Sequence, residues 1–489
     1  MVCDFFYPNM GGIESHLYLL SLQLFKRGHK VVIVTHGYGG RKGVRYLTTG
    51  VKVYHVPHWI VYDQVSLPTL YAFFPLFRHI LLREGIEIVH GHQAFSSMCH
   101  EAILHARALG LKTCFTDHSL FGFADASSIL TNKLLKFTLS DIDHVICVSN
   151  TSKENTVLRA SLDPSIVSVI PNAVVAADFT PDPSKRDPGK ITIVVASRLV
   201  FRKGTDLLVA IIPRICSLYP SVQFIIGGDG PKRVDLEQMR EEHGLQERVQ
   251  VLGSISYSQV REVLVQGDIF LNTSLTEAFC IAIVEAACCG LLVVSTKVGG
   301  IPEVLPDDMV MLSEPTYDGL VETVVRAIDQ VKRDPPDLPF RKHERIRAMY
   351  SWADVAERTE RVYAAALELH TPDLYDRLLL FNRCGAVAGK LACMIIAVHY
   401  WIGLLLEYLV PRGSIEPALD FKLDKFRKVS RSLTQRWQKN ESCIVVCHQL
   451  SRLVLHYVFG SHLRQVCTET LEADGRLRKQ SGDPIENQS

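Results

Sequence analysis

An excess of charge of either sign is what this 489-residue chain lacks: 53 Lys and Arg against 52 Asp and Glu leave a formal net charge of +1. Such a balance gives no global electrostatic footprint for nucleic acid, and no RNA- or DNA-binding motif is present, so any acidic partner has to be met locally. Thirteen cysteines are present, yet no CxxC pair has zinc-type spacing, and Cys443 and Cys447 form only a CxxxC. Most of the others, such as Cys114, Cys147, Cys280, Cys288 and Cys289, lie in apolar runs and read as small core residues, which fits a reduced, cytosol-facing compartment. The GxGxxG dinucleotide fingerprint and the GxxxxGK[ST] phosphate loop are both missing, which takes support from hydride transfer and ATP hydrolysis. The opening MVCDFFYPNMGG has neither the basic start nor the apolar core of a signal peptide, so the main body is expected outside a secretory lumen.

What is there is a rhythm. Short β-type runs at Lys30 to Thr35, Val51 to Val56, Ile86 to His90, Thr113 to Thr116 and Val145 to Ser149 alternate with helical patterns, as a parallel sheet with crossover helices does. TPDPSKRDPGK, residues 180–190, breaks the pattern with three prolines, and the rhythm restarts at ITIVVASRLV. The expected class is α/β: two Rossmann-like, doubly wound domains facing a cleft, plus a C-terminal hydrophobic helix. The expected boundaries are 1–180, a linker at 181–190, 191–332, closing helices at 333–370, a linker at 371–390, an apolar helix at 391–410 and a basic tail with a weak helix at 411–489. LACMIIAVHYWIGLLLEYLV, residues 391–410, is long enough at about 1.5 Å per residue to span about 30 Å of hydrocarbon. It is expected to be a membrane helix, interrupted only by His399 and Glu407; because Glu407 is costly inside a bilayer, a buried or membrane-surface helix stays the alternative.

Two acids, Glu277 and Glu285, sit with seven residues between them in TEAFCIAIVEAACCG. Ala282 to Cys289 reads as a helix stopped by Gly290. The neighbours of Glu285 on its helix face, Ile281, Ala282, Cys288 and Cys289, are apolar or small, so its carboxylate needs a partner. Glu277 lies beside the amides of Phe279, Cys280 and Ile281, the open N–H groups of a helix start, where phosphate oxygens bind readily. A first-turn dipole partner and a half-exposed helix residue are the bland alternatives. Arg198 and Lys203 follow the strand ITIVVA and suit a diphosphate, the one as a fork and the other as a point charge. Glycine turns containing Gly228 and Gly299-Gly300 end further strands, and Gly11-Gly12 follows the first, where backbone can approach a ligand closely.

In this order SRLxxRKG, GGDGP and the Glu277–Glu285 pair resemble the nucleotide-sugar half of family-four retaining glycosyltransferases of the GT-B fold, over about residues 1–370. DFFYPNMGG, TDHSLFGFAD, SKENTVLRA, LNTSLTEAFC and VSTKVGGIPEVLP narrow the resemblance to the catalytic subunits of phosphatidylinositol N-acetylglucosaminyltransferases, which begin glycosylphosphatidylinositol (GPI) anchor synthesis. The resemblance implies retaining transfer of N-acetylglucosamine from UDP-GlcNAc to phosphatidylinositol, in a multisubunit complex on the endoplasmic reticulum membrane, with the catalytic domains facing the cytosol. It implies that Glu285 holds the ribose and Glu277 contacts the sugar, while Arg198 and Lys203 stabilise the leaving phosphate. Phe279, Cys280 and Ile281 would lend amides, Gly228 and Gly253 would border the nucleotide, Gly11 and Gly12 would close over the diphosphate, and His118 would lie near the reacting sugar. No metal and no cofactor besides the donor are expected; the one DxD, Asp141-Ile142-Asp143, precedes its strand and reads as a turn.

Another nucleotide sugar or lipid acceptor, as in a phosphatidylinositol mannosyltransferase, and a non-catalytic sugar-nucleotide-binding protein remain alternatives. For the acceptor, position alone suggests Arg45, Tyr46, His90 and His92, and a lipid-surface helix within Leu67 to Arg83. Three features depart from the family: a very short first strand expected to weaken a sheet edge, Val175 where an acid is common, and the longer, more basic tail.

Overall fold

The computed structural model describes residues 1–122 and 126–419. The expected basic tail, apart from its first few residues, lies outside the described residues, as does part of the TDHSLFGFAD motif. Two sheets carry the architecture. In the first, the order is Gly43–Tyr46, Lys52–Val56, Val32–His36, then a bridge at Val2, then Ile88–His92, Lys112–Asp117, His144–Cys147 and Val167–Val169. All the paired strands are parallel except Gly43–Tyr46, which runs antiparallel to its neighbour. The short opening segment thus lies at the sheet's centre and not at an edge. The Val2 amide donates to His90 O at 2.9 Å and the Val34 amide to Met1 O at 2.9 Å, so even this short segment is paired on both sides.

The second sheet runs Val249–Gly253, Val222–Gly227, Ile191–Ala196, Ile269–Asn272, Leu292–Thr296 and Val310–Ser313, all parallel. Its strands are near-continuous runs of Val, Ile and Leu because both faces are covered, as in any crossover-connected sheet. The order reverses between Ile191–Ala196 and Ile269–Asn272, and the loops after those two strands carry Arg198, Lys203 and Glu277. A crevice outside the strand ends at such a reversal is where doubly wound sheets bind ligands.

The two halves are tied by polar contacts. Helix Trp352–Glu368 returns to the first half, where Glu360 pairs with Arg27 at 2.5 Å, Arg358 donates to Val169 O at 2.6 Å, and the Tyr363 hydroxyl meets His90 Nδ1 at 2.7 Å. Glu303 accepts from the amides of Asn150 and Thr151 at 2.7 and 2.8 Å and from both of their side chains, closing the start of helix Asn150–Ala160.

Beyond residue 370, the stretch expected as a linker contains helix Leu374–Asn382, whose Phe381 is fully buried with Leu104 and Ile396. Helix Ala388–Leu409 follows, long and apolar enough to cross a membrane. One face of it rests on the first half, where His399 meets His105 at 2.6 Å and Arg78 pairs with Glu407 at 2.6 Å. The expected lipid-surface helix is Phe74–Glu84, and it turns Phe74, Phe77, Ile80 and Leu81 into the core, so it is an ordinary core-facing helix.

Candidate active site

Helix Ile281–Cys288 is built to be immobile. Ile283, Val284, Ala286, Ala287 and Cys288 are all buried, and burying a branched aliphatic side chain is worth about 1.5–3 kcal/mol. Cys280, its N-cap, has φ of 66°, the left-handed region that favours glycine, and from there the chain turns into the first helical amides. Phe279 is buried with its ring 5.8 Å from that of Tyr350, which fixes the approach. Of the three residues expected to lend amides here, Phe279 therefore spends its side chain on the core, while Cys280 and Ile281 begin the open helix end.

Glu277 sits just upstream, half-buried. Its carboxylate oxygen contacts the Lys203 ammonium and also accepts from Ser274 Oγ at 2.9 Å. Lys203 is carried by a short turn that ends at Gly204, where φ is 68° and a Cβ would come within 1.8 Å of Thr273 O. Only glycine allows the two loops to touch so closely. Gly228 plays the same part for Arg198: its φ is 146°, a Cβ there would lie 1.8 Å from Ser197 O, and its amide donates to Gly253 O at 2.8 Å. These glycines pack loop on loop and so set the cations, while Gly253 faces the Arg233 guanidinium.

Glu285 is 8% exposed, and nothing hydrogen-bonds its carboxylate among the described residues. Burial alone pushes its pKa up to about 7. Arg198 is exposed and is in no ion pair among the described residues, and its charge reaches Glu14 across the cleft. Glu14 is a residue the sequence reading missed. It is buried on the first turn of helix Gly12–Lys26, and its carboxylate folds back to the position a Cβ on Gly11 would take, 2.5 Å from Oε2. Burial raises its pKa, with Arg198 acting in the opposite sense. A Cβ on Gly12 would lie 4.0 Å from Ile281 Cγ2, so the two helix starts face each other across the cleft. The GGIE run after the first strand was the signal for Glu14.

His118 ends the strand Lys112–Asp117 beside two further histidines. Its Nε2 is 3.4 Å from His92 Nδ1, its ring centroid is 4.6 Å from that of His16, and His16 Nδ1 meets Asn172 Oδ1 at 2.9 Å. Each of the three offers a ring nitrogen within 4.8 Å of the others, a set that could hold a metal ion. Their pKa values all lie below the usual range, His92 and His118 well below it and His16 at about 4, because burial disfavours the imidazolium. His90 leaves the acceptor reading, since both of its nitrogens are engaged, by Tyr363 and by Thr116. Arg45 lies on the outermost strand of the first sheet with Tyr46, and the structure brings neither to the histidine cluster. Asp141 and Asp143 pair with Arg377 at 2.6 Å and Arg107 at 2.8 Å, a structural use of the DxD.

A family model described as PIGA (GPI anchor biosynthesis) matches residues 36–125, and one described as glycosyl transferases group 1 matches residues 177–349. The chain is 57% identical over 431 residues to the gpi3 component of phosphatidylinositol N-acetylglucosaminyltransferase from Schizosaccharomyces pombe, covering 87% of this chain and 94% of that one. It is 55% identical over 423 residues to the corresponding phosphatidylinositol N-acetylglucosaminyltransferase chain of Homo sapiens, covering 86% and 87%. Among solved structures, a sucrose-phosphate synthase of Thermosynechococcus elongatus superposes with a TM-score of 0.60 at 21% identity, over 72% of this chain and 93% of that one. Anabaena HepE in complex with UDP-glucose gives 0.58 at 17% identity, over 74% and 98%. At such identities these two speak for the GT-B fold alone.

Proposed function

The chain belongs to the PIGA/GPI3 family of phosphatidylinositol N-acetylglucosaminyltransferases of GPI-anchor biosynthesis, and from that premise we propose that its cleft transfers N-acetylglucosamine from UDP-GlcNAc to phosphatidylinositol. The observation that carries the reading is the pairing of roles around one helix start. Lys203 and Glu277 stand in contact on one side of it, and Glu285 stands buried and unbonded on the other. Glu285 accepts hydrogen bonds from the ribose hydroxyls, and the open amides at Cys280 and Ile281 receive the phosphates. Breaking the sugar–phosphate bond puts a further negative charge on the departing UDP, and Arg198 and Lys203 are positioned cations that meet it. Glu277 orients the sugar and, through its contact, Lys203.

Transfer proceeds with retention by a front-side route, in which the leaving phosphate oxygen takes the acceptor proton and no dedicated nucleophile is called for. The reading assigns the diphosphate's counter-charge to side chains, so it needs no metal ion at that step and no cofactor besides the donor. Gly11 and Gly12 close over the diphosphate once Glu14 swings aside, and His118 contacts the sugar near its reacting face. The relatives are named as subunits, which supports a multisubunit complex. The apolar helix Ala388–Leu409 supports membrane association, on the endoplasmic reticulum with the catalytic halves on the cytosolic side.

Microsomes containing the protein, given radiolabelled UDP-GlcNAc and, separately, GDP-mannose, provide the test. Label in a phosphatidylinositol product from UDP-GlcNAc is the expected result. Transfer only from GDP-mannose, or none from either in the presence of the complex, overturns it.

A further inference from the structure

Residues 59–67 form a small hairpin outside both large sheets. Its strands, Ile60–Tyr62 and Val65–Ser66, pair antiparallel with each other, and Asp63 and Gln64 both take positive φ, 41° and 67°, as in the tight two-residue turns that close hairpins. Two such short strands do not hold together in water unaided, so the root has to be fastened elsewhere. Asp4 does this, accepting from the Ser66 amide at 3.1 Å, from Ser96 Oγ at 2.7 Å and from the Met98 amide at 3.1 Å. Glu101 holds the chain that leaves the hairpin, accepting from Thr69 Oγ1 at 2.7 Å and from the Leu70 amide at 2.8 Å. On the entering side, the His58 ring centroid is 4.7 Å from that of the buried Phe73. The root is therefore fixed to the first half of the chain.

The arm that rises from this root is bare. Trp59 is 81% exposed and Tyr62 79%, with Ile60 and Val61 exposed between them. Single exposed apolar side chains need no explanation, but four in succession on a fixed root make a patch that calls for a contact. Three cations flank it. Gly43 pairs with His55, and the Gly37 amide donates to Val56 O at 2.9 Å, so the turn holding Arg41 and Lys42 and the strand holding Arg45 lie beside the chain that enters the hairpin. All three cations are exposed and in no ion pair among the described residues. Asp63 is the one acid of the hairpin, and its charge is felt at Glu14, which places the turn near the mouth of the cleft.

Tryptophan and tyrosine, each an apolar body with one polar atom, settle at the boundary between headgroups and acyl chains, and cations beside them meet lipid phosphates. A surface built for a protein partner would instead be depleted in lysine. We infer that the hairpin dips Trp59, Ile60, Val61 and Tyr62 into that boundary of an anionic phospholipid leaflet, with Arg41, Lys42 and Arg45 on its phosphates. The cleft mouth is thereby held at the surface from which a lipid acceptor is drawn. The lipid contact stands on the hairpin alone, whereas its use in acceptor delivery rests on the transfer proposed above.

Two measurements on the full-length chain in its complex, reconstituted in nanodiscs of phosphatidylcholine and phosphatidylinositol, test the two parts separately. In the first, phosphatidylcholine brominated near the headgroup end of its acyl chains replaces the ordinary lipid, and tryptophan fluorescence is compared between the parent and Trp59→Phe. Bromine should quench the share of emission that the substitution removes. Equal fractional quenching in the two proteins means that Trp59 meets water or a protein surface instead, and overturns the lipid contact. In the second, transfer by Trp59→Ser with Tyr62→Ser is followed with phosphatidylinositol in the bilayer and with a short-chain phosphatidylinositol dissolved as monomers. The expected result is a severalfold rise in KM for the bilayer acceptor, with kcat/KM for the dissolved one within twofold of the parent. Equal losses on both acceptors, or no loss on either, overturn the delivery role. If neither lipid accepts sugar even with the parent, the proposed transfer fails while the quenching result still decides the contact.

Discussion

The Lys203 ammonium touches the same oxygen of Glu277 that accepts from Ser274 Oγ at 2.9 Å. A carboxylate bound from two sides is a poor nucleophile and a good spacer. Its contact holds a flexible four-carbon side chain in one place before any substrate arrives, so the cation need not reorganise when charge develops beside it.

Lys203→Met should therefore lower kcat/KM for transfer by about 10²–10³, the usual loss when one preorganised charge partner of a transition state is removed. Steady-state kinetics on the solubilised complex measure it, with thermal unfolding as the check on folding. A loss below tenfold would mean that Lys203 serves Glu277 only structurally.

Glu285 supplies a pH dependence. With its pKa pushed up to about 7 by burial, the carboxylate that accepts from the ribose is half protonated at neutral pH. UDP affinity should fall as pH drops from 8 to 6, and Glu285→Gln should bind weakly at both values. Stability without ligand moves the other way. Between the ordinary carboxylate pKa and about 7 the folded state holds a proton that the unfolded state has released, so stability falls as pH rises and levels off above 7. Glu285→Gln should recover up to about 3 kcal/mol at pH 8 and little at pH 5. Titration calorimetry with UDP and chemical denaturation at the two pH values test both halves, and a pH-independent UDP affinity in the parent would sink the ribose role.

His118 makes the opposite statement. Burial and the neighbouring His16 and His90 hold its pKa well below the usual range, so it stays neutral across the working pH range. His118→Gln should cost roughly tenfold in kcat/KM, the scale of about one lost hydrogen bond, and leave the shape of the pH–rate profile between 6 and 8 unaltered. A profile that loses its acidic limb in this variant would transfer the neutral-range titration from Glu285 to His118.

Much of this site is legible in the sequence because it is local. Strand, turn and cation recur in one order, and the loops after Ile191–Ala196 and Ile269–Asn272 must meet once the sheet order reverses between them. The apolar neighbours of Glu285 foretell its burial by helical spacing alone. What the sequence does not reveal is long-range. Glu14 meets the field of Arg198 only because the two sheets face each other, and the His16, His92 and His118 set draws on three separate elements. The central place of Val2 follows from strand order, which periodicity does not encode. The row Ala392, Ile396, His399 and Glu407 likewise has meaning only once its partners Leu104, His105 and Arg78 are known.

The run GGIPE shows how a motif can be located correctly and read for the wrong neighbour. Glycines after the strand Leu292–Thr296 promise backbone approach to a ligand, yet a Cβ on Gly299 would lie 2.1 Å from Glu277 O, and one on Gly300 would lie 2.2 Å from Ala278 O. The close approach is to the loop that carries Glu277. From the same turn Glu303 reaches the other half of the chain and accepts from both Asn150 and Thr151. Burial alone would raise its pKa, but those hydrogen bonds together hold it below its ordinary value. Its contribution is therefore present above the ordinary carboxylate pKa and lost as pH falls through the lowered one. Because Glu303 is exposed, water screens the contact, and Glu303→Ala should cost about 1 kcal/mol at pH 7 and progressively less as pH falls below the ordinary carboxylate pKa. The kinetic effect should be larger than the thermal one. Loosening the clamp lets the loop bearing Glu277 drift from the half that carries His118, so kcat should fall severalfold while UDP affinity, which depends on Glu285 in a single half, stays within twofold. A parallel loss of UDP affinity would show that Glu303 supports the nucleotide pocket itself rather than the registration of the two halves.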